Sequence, residues 1–424
     1  MSTQRHRPDR TWRLLALAGI CSAYVYGGAA AQTAAPPRIS DGVVKIGLIL
    51  DMSGPYSDTA GAGSVTAAKM AVEDFGGTVL GAPIEVVAAD HGNSPDRAAE
   101  IARGWFGDQH VDAIMDVSGS SEALIVQAIA NTRNKIILLS SAGAQRLSGE
   151  GCTATSIHYV FDTASIARTA ATSLLKQGER SWFFITADYS FGYDLESDTA
   201  AVVTAGGGQV LGRARHPFGA TDFQSYLARA HQSGAQAVAL ANAGADTDNA
   251  IKQAAKLDML SGGQLFVPLG LRINGIDSLG LKTTQGMAIS ESFYWDLDDA
   301  TRAWSERFFQ RVHKMPNSLQ AGVYSSTMHY LKAIAKAGTD DTGPVMQAMR
   351  DTPVNDFFAH NGYIRGDGVM VHDVHLFRVK GPSETQHAWD YYRLVATVPG
   401  DEAFALIGPS RCPLLQSNKA TPAN

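Results

Sequence analysis

Residues 47–63, GLILDMSGPYSDTAGAG, join an apolar strand-like run to a glycine-rich loop and then to a helix-like run. Strand, glycines and helix also outline a nucleotide-binding turn, so phosphate binding is the first chemistry to test. The spacing does not fit, because the third glycine of a dinucleotide fingerprint would fall on Thr66. The glycine run at 206–212 fails in the same way, since Leu211 stands at the third position.

Other catalytic motifs are also missing from the sequence. It has no phosphate loop ending in Gly-Lys-Ser or Gly-Lys-Thr, no Gly-x-Ser-x-Gly elbow and no His-Glu-x-x-His pair. His372 and His375 lie in a strand-like run, where their odd spacing points the side chains to opposite faces. We therefore predict that the chain is not an enzyme, that it has no metal site and that it needs no cofactor.

Strand-like and helix-like segments alternate from Val43 onward, and the pattern runs twice. The apolar residues of most strand-like runs are continuous rather than alternating, which indicates parallel sheets covered by helices on both faces. We predict an α/β fold of two Rossmann-like lobes. After Gly286, helices and strand-like runs return to complete both lobes, so several crossings form the hinge. The predicted segments are 42–162 with 276–360 for the first lobe, 163–275 with 361–398 for the second, and 399–424 for a C-terminal extension.

The N-terminus has the features of an export signal. Residues 1–31 have a basic start, an apolar middle and small residues up to Ala31, which predicts a signal peptide cleaved near Ala31 and a periplasmic mature protein. A membrane anchor is the alternative, but the apolar part is short for a span. The formal net charge is −6, and no basic run occurs after residue 31, which argues against nucleic acid as a partner.

Cleavage near Ala31 would remove Cys21 and leave Cys152 and Cys412. An even number of cysteines in an oxidising compartment favours a disulfide, which would tie the C-terminal segment to the body of the protein. Two unpaired buried thiols are the alternative.

Three loops, SGSSEA, SSAGAQRL and ANAGADTDNAIKQA, lie where a helix N-terminus would face the cleft, and helix N-termini suit carboxylates. Ser120 and Ser121 begin the helix of SGSSEA, and Asp246 precedes the helix of NAIKQAAKL. Each of these residues is equally well explained as a simple helix N-cap. One serine could cap the helix while the other binds a ligand, so both interpretations stay open.

Several stretches, in consistent order from Val43 to Lys380, resemble the periplasmic solute-binding proteins of branched-chain amino-acid-type ABC transporters. They include IGLILDMSGPYSDTAGAGSVTAAKMAVEDFGG, SGSSEALIVQAIANTRNKIILLSSAGAQRL, ITADYSFGYDLES and TDFQSYLARAHQSGAQAV. The resemblance implies two Rossmann-like lobes joined by a three-strand hinge, which close on a ligand in the cleft. It also implies a monomer that delivers its ligand to a membrane permease.

The resemblance also assigns roles to loop residues. It implies that the serine loop holds the ligand's carboxylate, and that Ala142 offers backbone groups. Ala144 falls where amino-acid-binding members have a threonine, which weakens the case for an amino-acid ligand. Asp246 matches the family acid that pairs with an α-ammonium, and Tyr193 matches a tyrosine that closes from the second lobe.

Aromatic residues in the same loops favour an aliphatic or aromatic carboxylate, although an amino acid or an amide stays open. For the stretch FYW at 293–295, core packing is the alternative to a place in the cleft. The predicted ligand-binding residues are Tyr56, Thr59, Ser120, Ser121, Ala142, Ala144, Tyr193, Asn242, Asp246 and Trp295.

Two other functions compete with ligand capture for transport. The same fold could serve as a sensor component with a signalling output, although no transmembrane helix follows the lobes in this sequence. A secreted α/β hydrolase that uses a cleft carboxylate such as Asp246 is a further alternative. The missing nucleophile, metal and cofactor motifs argue against the hydrolase.

Overall fold

The structure, a computed structural model, describes residues 38–404 and 412–417. The predicted signal peptide at 1–31 lies outside them. The first lobe begins with alternating strands and helices whose apolar runs are buried. These elements are β1 (Val44–Leu50), α1 (Gly61–Phe75), β2 (Thr78–Val79), β3 (Ala82–Asp90), α2 (Pro95–Gly107), β4 (Ala113–Val117), α3 (Ser120–Thr132), β5 (Ile136–Leu139) and β6 (Ser156–His158). The strands form one sheet in the order β2-β3-β1-β4-β5-β6, parallel except for β2 against β3.

The second lobe repeats this arrangement with its own sheet. Its elements are α4 (Thr163–Lys176), β7 (Ser181–Ala187), α5 (Ser190–Ala205), β8 (Gln209–His216), α6 (Gln224–Gln232), β9 (Ala237–Ala243), α7 (Ala245–Lys256), β10 (Leu265–Gly270), α8 (Ile273–Leu279), α9 (Leu281–Thr284) and β11 (Ala288–Glu291). The strands β10-β9-β7-β8 are parallel and nearly all buried except for β8 at the edge. Continuous apolar strands are what a sheet covered on both faces requires.

The rest of the chain returns to both lobes. It consists of α10 (Asp299–Val312), α11 (Ser318–Ala337), α12 (Thr342–Arg350), β12 (Tyr363–Ile364), β13 (Met370–Val371), β14 (Val374–Val379), β15 (Tyr392–Val398), α13 (Gly400–Ala403) and α14 (Pro413–Ser417). Helices α10 and α11 pack on α1 of the first lobe, whereas β14 and β15 form an antiparallel sheet with β11 beside the second lobe. The predicted fold class, two Rossmann-like lobes with parallel sheets, is confirmed.

The chain crosses between the lobes three times, and the crossings meet at one carbonyl group. The Ser292 hydroxyl donates a hydrogen bond to the Val160 carbonyl oxygen at 3.0 Å, and His372 Nε2 lies 3.0 Å from the same oxygen. These residues belong to the first, second and third crossings. The three segments therefore form a hinge that is held together at its centre.

Two crossings come later than the predicted boundaries. Helix α8 packs on α7 and β11 pairs with β14, so residues 276–291 lie with the second lobe, not the first. Residues 361–371 lie with the first lobe, because Gly362 pairs with Val354 and Val369 with His158. Packing partners of these short elements decide the boundaries, and such partners are not visible in local sequence.

The C-terminal segment is attached to the first lobe by a covalent bond. Cys412 forms a disulfide with Cys152, in the loop between β5 and β6. Leu414 and Leu415 pack against the bridge. Residues 405–411 and 418–424 of the predicted extension lie outside the described residues.

Candidate ligand-binding cleft

A cavity lies between the lobes, at the carboxyl ends of both parallel sheets. About 460 Å³ of space not occupied by protein atoms lies there, part of it open to solvent. Loops at this end of parallel strands are where ligands bind in open α/β sheets. Its lining residues are Tyr56, Thr59, Ala60, Ser118, Gly119, Ser120, Ser141, Phe161, Tyr189, Phe191, Ala243, Gly244, Gly270, Arg272 and Leu319.

In the first-lobe wall, the Ser118 hydroxyl follows β4 directly and is held by two donors. It accepts a hydrogen bond from the Asp51 backbone N–H at 2.6 Å, and His91 Nε2 lies 3.1 Å away. The Asn93 backbone N–H donates to His91 Nδ1 at 2.9 Å, so in the neutral ring the proton is on Nε2. Burial lowers the pKa of His91, which favours that neutral ring.

The neighbouring hydroxyl, on Ser141, donates instead of accepting. It donates to Asp116 Oδ2, while the backbone N–H groups of Ser140 and Ser141 donate to Oδ1 at 3.0 and 2.9 Å. Asp116 is fully buried, and burial raises its pKa to about 6. Near neutral pH its carboxylate is therefore ionised and accepts the hydrogen bond from the Ser141 hydroxyl.

The second-lobe wall is made of glycines, aromatic rings and one arginine. Tyr189 and Phe191 begin α5, and Gly244 lies directly after β9. Gly244 has φ +57°, and a Cβ atom there would lie 2.4 Å from the Pro55 carbonyl oxygen of the other lobe. Only glycine allows the two loops to approach this closely.

Arg272 is the charged residue of this wall. Its Nη1 lies 3.5 Å from Glu291 Oε2 and donates to the Ser290 carbonyl oxygen at 3.3 Å. The guanidinium carbon lies 4.8 Å from the centre of the Phe161 ring. Within the described part of the chain, Nε and Nη2 of Arg272 have no hydrogen-bond partner.

The two lobes contact each other around the cavity. The hydroxyl groups of Tyr56 and Tyr189 are in contact, and the Ala245 backbone N–H donates to the Pro55 carbonyl oxygen at 3.1 Å. Burial raises the pKa of both tyrosines, so these hydroxyls stay protonated. The structure is thus a closed form, in which residues of both lobes enclose the same space.

Three predicted residues, Tyr56, Thr59 and Ser120, line the cavity. Three others from the first lobe lie beside it and contact protein groups. The Ser121 hydroxyl lies 3.2 Å from that of Ser190 across the cleft, and the Ala144 N–H donates to Ser120 Oγ at 3.1 Å. The Ala142 carbonyl oxygen lies 2.7 Å from His158 Nε2.

The four predicted residues from the second lobe and the hinge do not line the cavity. Tyr193 lies one helical turn beyond Tyr189, where its hydroxyl donates to Asp188 and its ring faces Arg215. Trp295 is buried in the hinge, and its Nε1 donates to the Trp389 carbonyl oxygen at 2.9 Å. This position fits core packing, the alternative given above for the stretch FYW at 293–295.

The other two, Asn242 and Asp246, lie beneath the cavity wall. Asn242 Nδ2 lies 3.0 Å from His216 Nε2, and Asp246 Oδ2 accepts from the Gly219 N–H at 3.1 Å. Asp246 Oδ1 is buried and has no partner among the described residues. Burial raises the pKa of Asp246 to about 6.

Ser118, Ser141, Tyr189 and Arg272 line the cavity but are not among the residues predicted from the sequence. All four follow a parallel strand within two residues, at the sheet edge that the fold prediction had already identified. Within the two described parallel sheets, Arg272 is the one Lys or Arg at such a position. A positive charge just after a parallel strand is the sequence signal that marks this residue.

Metal and membrane features are absent from the parts of the chain at 38–404 and 412–417. No group of three or more His, Cys, Asp or Glu side chains there could hold a metal ion. No helix in those two ranges combines the length and the apolar character that a bilayer crossing requires.

The family model of the periplasmic binding proteins matches residues 43–386. The chain belongs to the periplasmic binding protein family. Members of the type it resembles, that of branched-chain amino-acid ABC transporters, bind small molecules outside the cytoplasm, work with membrane permeases and are typically not enzymes. No curated protein matches the chain.

Solved structures of the family match this binding protein over most of its length. A periplasmic binding protein from Burkholderia mallei is 47% identical, with a TM-score of 0.86 over 88% of this chain and 99% of that one. A branched-chain amino-acid ABC transporter ligand-binding protein from Burkholderia xenovorans is 36% identical, with a TM-score of 0.79 over 88% and 100%. A Rhodopseudomonas palustris solute-binding protein in complex with 3,4-dihydroxybenzoic acid is 19% identical, with a TM-score of 0.77 over 85% and 98%.

Proposed function

We propose that this binding protein captures a small carboxylate that lacks an amino group and delivers it to an ABC permease. One observation carries the proposal: of the fifteen residues that line the cavity, Arg272 is the only charged one. A buried cation favours an anionic ligand, and a cavity wall without Asp or Glu offers an ammonium group no counter-charge.

Arg272 is well placed to bind a carboxylate. Its stacking on Phe161 and its bond to the Ser290 carbonyl hold the guanidinium in one orientation, while Nε and Nη2 remain for two parallel hydrogen bonds. Glu291, behind it, balances the charge before the ligand enters. Aromatic walls at Tyr56 and Tyr189 add apolar area that suits a flat or branched hydrocarbon part.

The opposite wall is less suitable for the carboxylate. The N-terminus of α3 begins at Ser120, but the Glu122 side chain folds back against it, and a Cβ atom on Gly119 would meet Glu122 Oε2 at 2.4 Å. A second carboxylate there would be repelled by the first. We infer that the ligand's carboxylate is bound by the second lobe, although the family resemblance assigns it to the serine loop.

Capture of an amino acid is the second candidate. The relative from Burkholderia xenovorans is described as a branched-chain amino-acid protein, and Asp246 lies close beneath the wall. The complex of the Rhodopseudomonas palustris protein with 3,4-dihydroxybenzoic acid supports an aromatic acid instead. We further propose export with cleavage near Ala31, and action as a monomer.

Titration calorimetry on the mature chain tests the proposal. The panel sets leucine, isoleucine and valine beside benzoate, cinnamate, short aliphatic acids and amides. We expect binding of an acid without an amino group, and a loss of about 100-fold in Arg272→Gln, since two charge-assisted hydrogen bonds disappear. Arg229→Gln, which removes an exposed arginine of α6, is the matched control. Binding of amino acids alone would overturn the proposal in favour of the second candidate.

A further inference from the structure

Ser118 and Ser141 follow the adjacent strands β4 and β5 of the first-lobe sheet, within two residues of the strand ends. Ala113 pairs with Ile136 and Ile114 with Ile137, and this register, continued beyond the paired residues, would bring Ser118 opposite Ser141. Adjacent strands lie about 4.8 Å apart. Both residues line the cavity, so a single ligand group could contact both hydroxyls.

These two hydroxyls have opposite hydrogen-bonding roles. A hydroxyl has one hydrogen and two acceptor positions. Both acceptor positions of Ser118 are used by the Asp51 N–H and by His91 Nε2, which leaves its hydrogen for the cavity. The hydrogen of Ser141 is used by Asp116, which leaves its lone pairs for the cavity.

We infer that the first-lobe wall selects a ligand with a neutral hydrogen-bond donor, either a hydroxyl or an amide N–H. Ser141 accepts the hydrogen bond from this donor, and Ser118 donates a hydrogen bond to an oxygen atom of the same ligand group. This inference rests on the proposed function, with the carboxylate on Arg272. A ligand without the donor would cover the Ser141 oxygen and leave it unpaired, which costs binding energy. An ether oxygen at the same place has no hydrogen to donate, so its lone pairs would face those of the Ser141 oxygen and repel them.

The test compares matched acids on the mature protein at pH 8. Benzoate carries no polar substituent, the hydroxybenzoates can donate and accept, the methoxybenzoates can only accept, and 4-carbamoylbenzoate offers an amide N–H. Calorimetry gives each dissociation constant. We expect one hydroxy or amide acid to bind about 10-fold or more tightly than its methoxy counterpart, because the methoxy oxygen leaves Ser141 unpaired.

Three variants test which side chain causes the preference for hydroxy over methoxy acids. Ser141→Ala removes the acceptor and should reduce the hydroxy-over-methoxy preference to less than about 3-fold. Asp116→Asn keeps the shape of the side chain, but its amide would donate to Ser141 and turn the Ser141 hydrogen toward the cavity. The affinity for methoxy acids should therefore rise relative to that for hydroxy acids. Ser140→Ala is the control, since the Ser140 hydroxyl is buried without a partner among the described residues and does not line the cavity.

The outcomes separate this inference from the proposed function. If acids bind through Arg272 but hydroxy and methoxy forms bind equally, or if Ser141→Ala keeps the preference, the inference is wrong and the proposed function stands. If no acid binds, both are overturned. Circular dichroism of each variant shows whether it folds, and Ser141→Ala suffices if Asp116→Asn does not.

Discussion

The two walls of the cleft offer a ligand different kinds of interaction. The first-lobe wall presents hydroxyls, and buried residues behind them, His91 and Asp116, set which hydroxyl donates and which accepts. The second-lobe wall presents rings, glycines and the cation of Arg272. The first wall therefore specifies a hydrogen-bond pattern, whereas the second specifies charge and shape.

The two walls also differ in the hydrogen bonding of the buried acid that lies behind each of them. Asp116 and Asp246 are both fully buried, and burial raises the pKa of each to about 6. Asp116 accepts three hydrogen bonds, while Asp246 Oδ1 has no partner within the described residues. The first-lobe acid organises a binding group, and the second-lobe acid has no such visible role.

The largest effect is expected where the walls touch. In Gly244→Ala, the new Cβ would lie 2.4 Å from the Pro55 carbonyl oxygen, so the lobes could not close as they do here. Overpacking of this kind costs about 3 kcal/mol at the upper end, which corresponds to a loss of about 100-fold in affinity for 4-hydroxybenzoate by calorimetry. Gly219→Ala is the control: its φ is also positive, at +76°, but its Cβ would have no atom closer than 3.8 Å. Equal losses in both variants would show that backbone strain, not closure, is responsible.

The next effect compares the two buried acids. The pKa of Asp246 in the folded protein, about 6, lies above its usual 3.8, so between these pH values the native state binds more protons than the unfolded state. The free energy of unfolding contributed by this group therefore falls as the pH rises through that window, by up to about 3 kcal/mol, and is constant above it. Asp246→Asn does not titrate, so its stability relative to the wild type should rise from pH 4 to pH 7 in urea unfolding.

Asp116→Asn should show the same rise with pH, because burial raises the pKa of Asp116 to about 6 as well and the asparagine does not titrate. A pH-independent difference between Asp246→Asn and the wild type would contradict the raised pKa.

A smaller effect is expected from the tyrosine contact that joins the walls. Tyr189→Phe removes one hydroxyl of the Tyr56–Tyr189 pair, at a cost of about 1 kcal/mol or about 5-fold in 4-hydroxybenzoate affinity. Because both hydroxyls make the same contact, the double variant with Tyr56→Phe should cost little more than either single one, which a double-mutant cycle measures. Additive losses would mean that each tyrosine contacts the ligand separately.

Much of the fold was predictable because burial on both faces leaves a local signal. Ile136–Leu139 is apolar along its whole length and Val44–Leu50 is apolar except for Lys45, and each forms a strand of a parallel sheet. The positions where the chain crosses between the lobes, predicted at residues 276 and 361, leave a weaker signal in the sequence. Helix α8 and strand β11 are short, and their partners, α7 and β14, are up to about ninety residues distant in sequence.

The site was predictable at the level of loops and less so at the level of side chains. The serine loop and the loop after β1 both reach the cavity, as expected for strand ends. Tyr193 and Tyr189 are one helical turn apart, and the start of α5 decides which of them faces the cleft. The roles of Ser118 and Ser141 depend on His91 and Asp116, contacts that no local motif reveals.

The smallest effect concerns an ion pair that joins the walls outside the cavity. Arg146 of the first lobe donates through its backbone N–H and Nε to Asp194 of α5, at 3.1 and 3.0 Å. The arginine side chain is 34% exposed, so solvent weakens the pair, and we expect Arg146→Gln to reduce 4-hydroxybenzoate affinity only about 2- to 5-fold at low salt.

Salt should remove this difference, because at about 1 M the screening length falls to about 3 Å. The control is Arg213→Gln, whose partner Glu196 lies in the same lobe, so its loss leaves closure unaffected. If Arg146→Gln keeps its defect in high salt, the residue acts through packing and not through charge. A defect in Arg213→Gln as large as that in Arg146→Gln would show that the second lobe is sensitive to any lost ion pair, and that the contact between the lobes has no special part in closure.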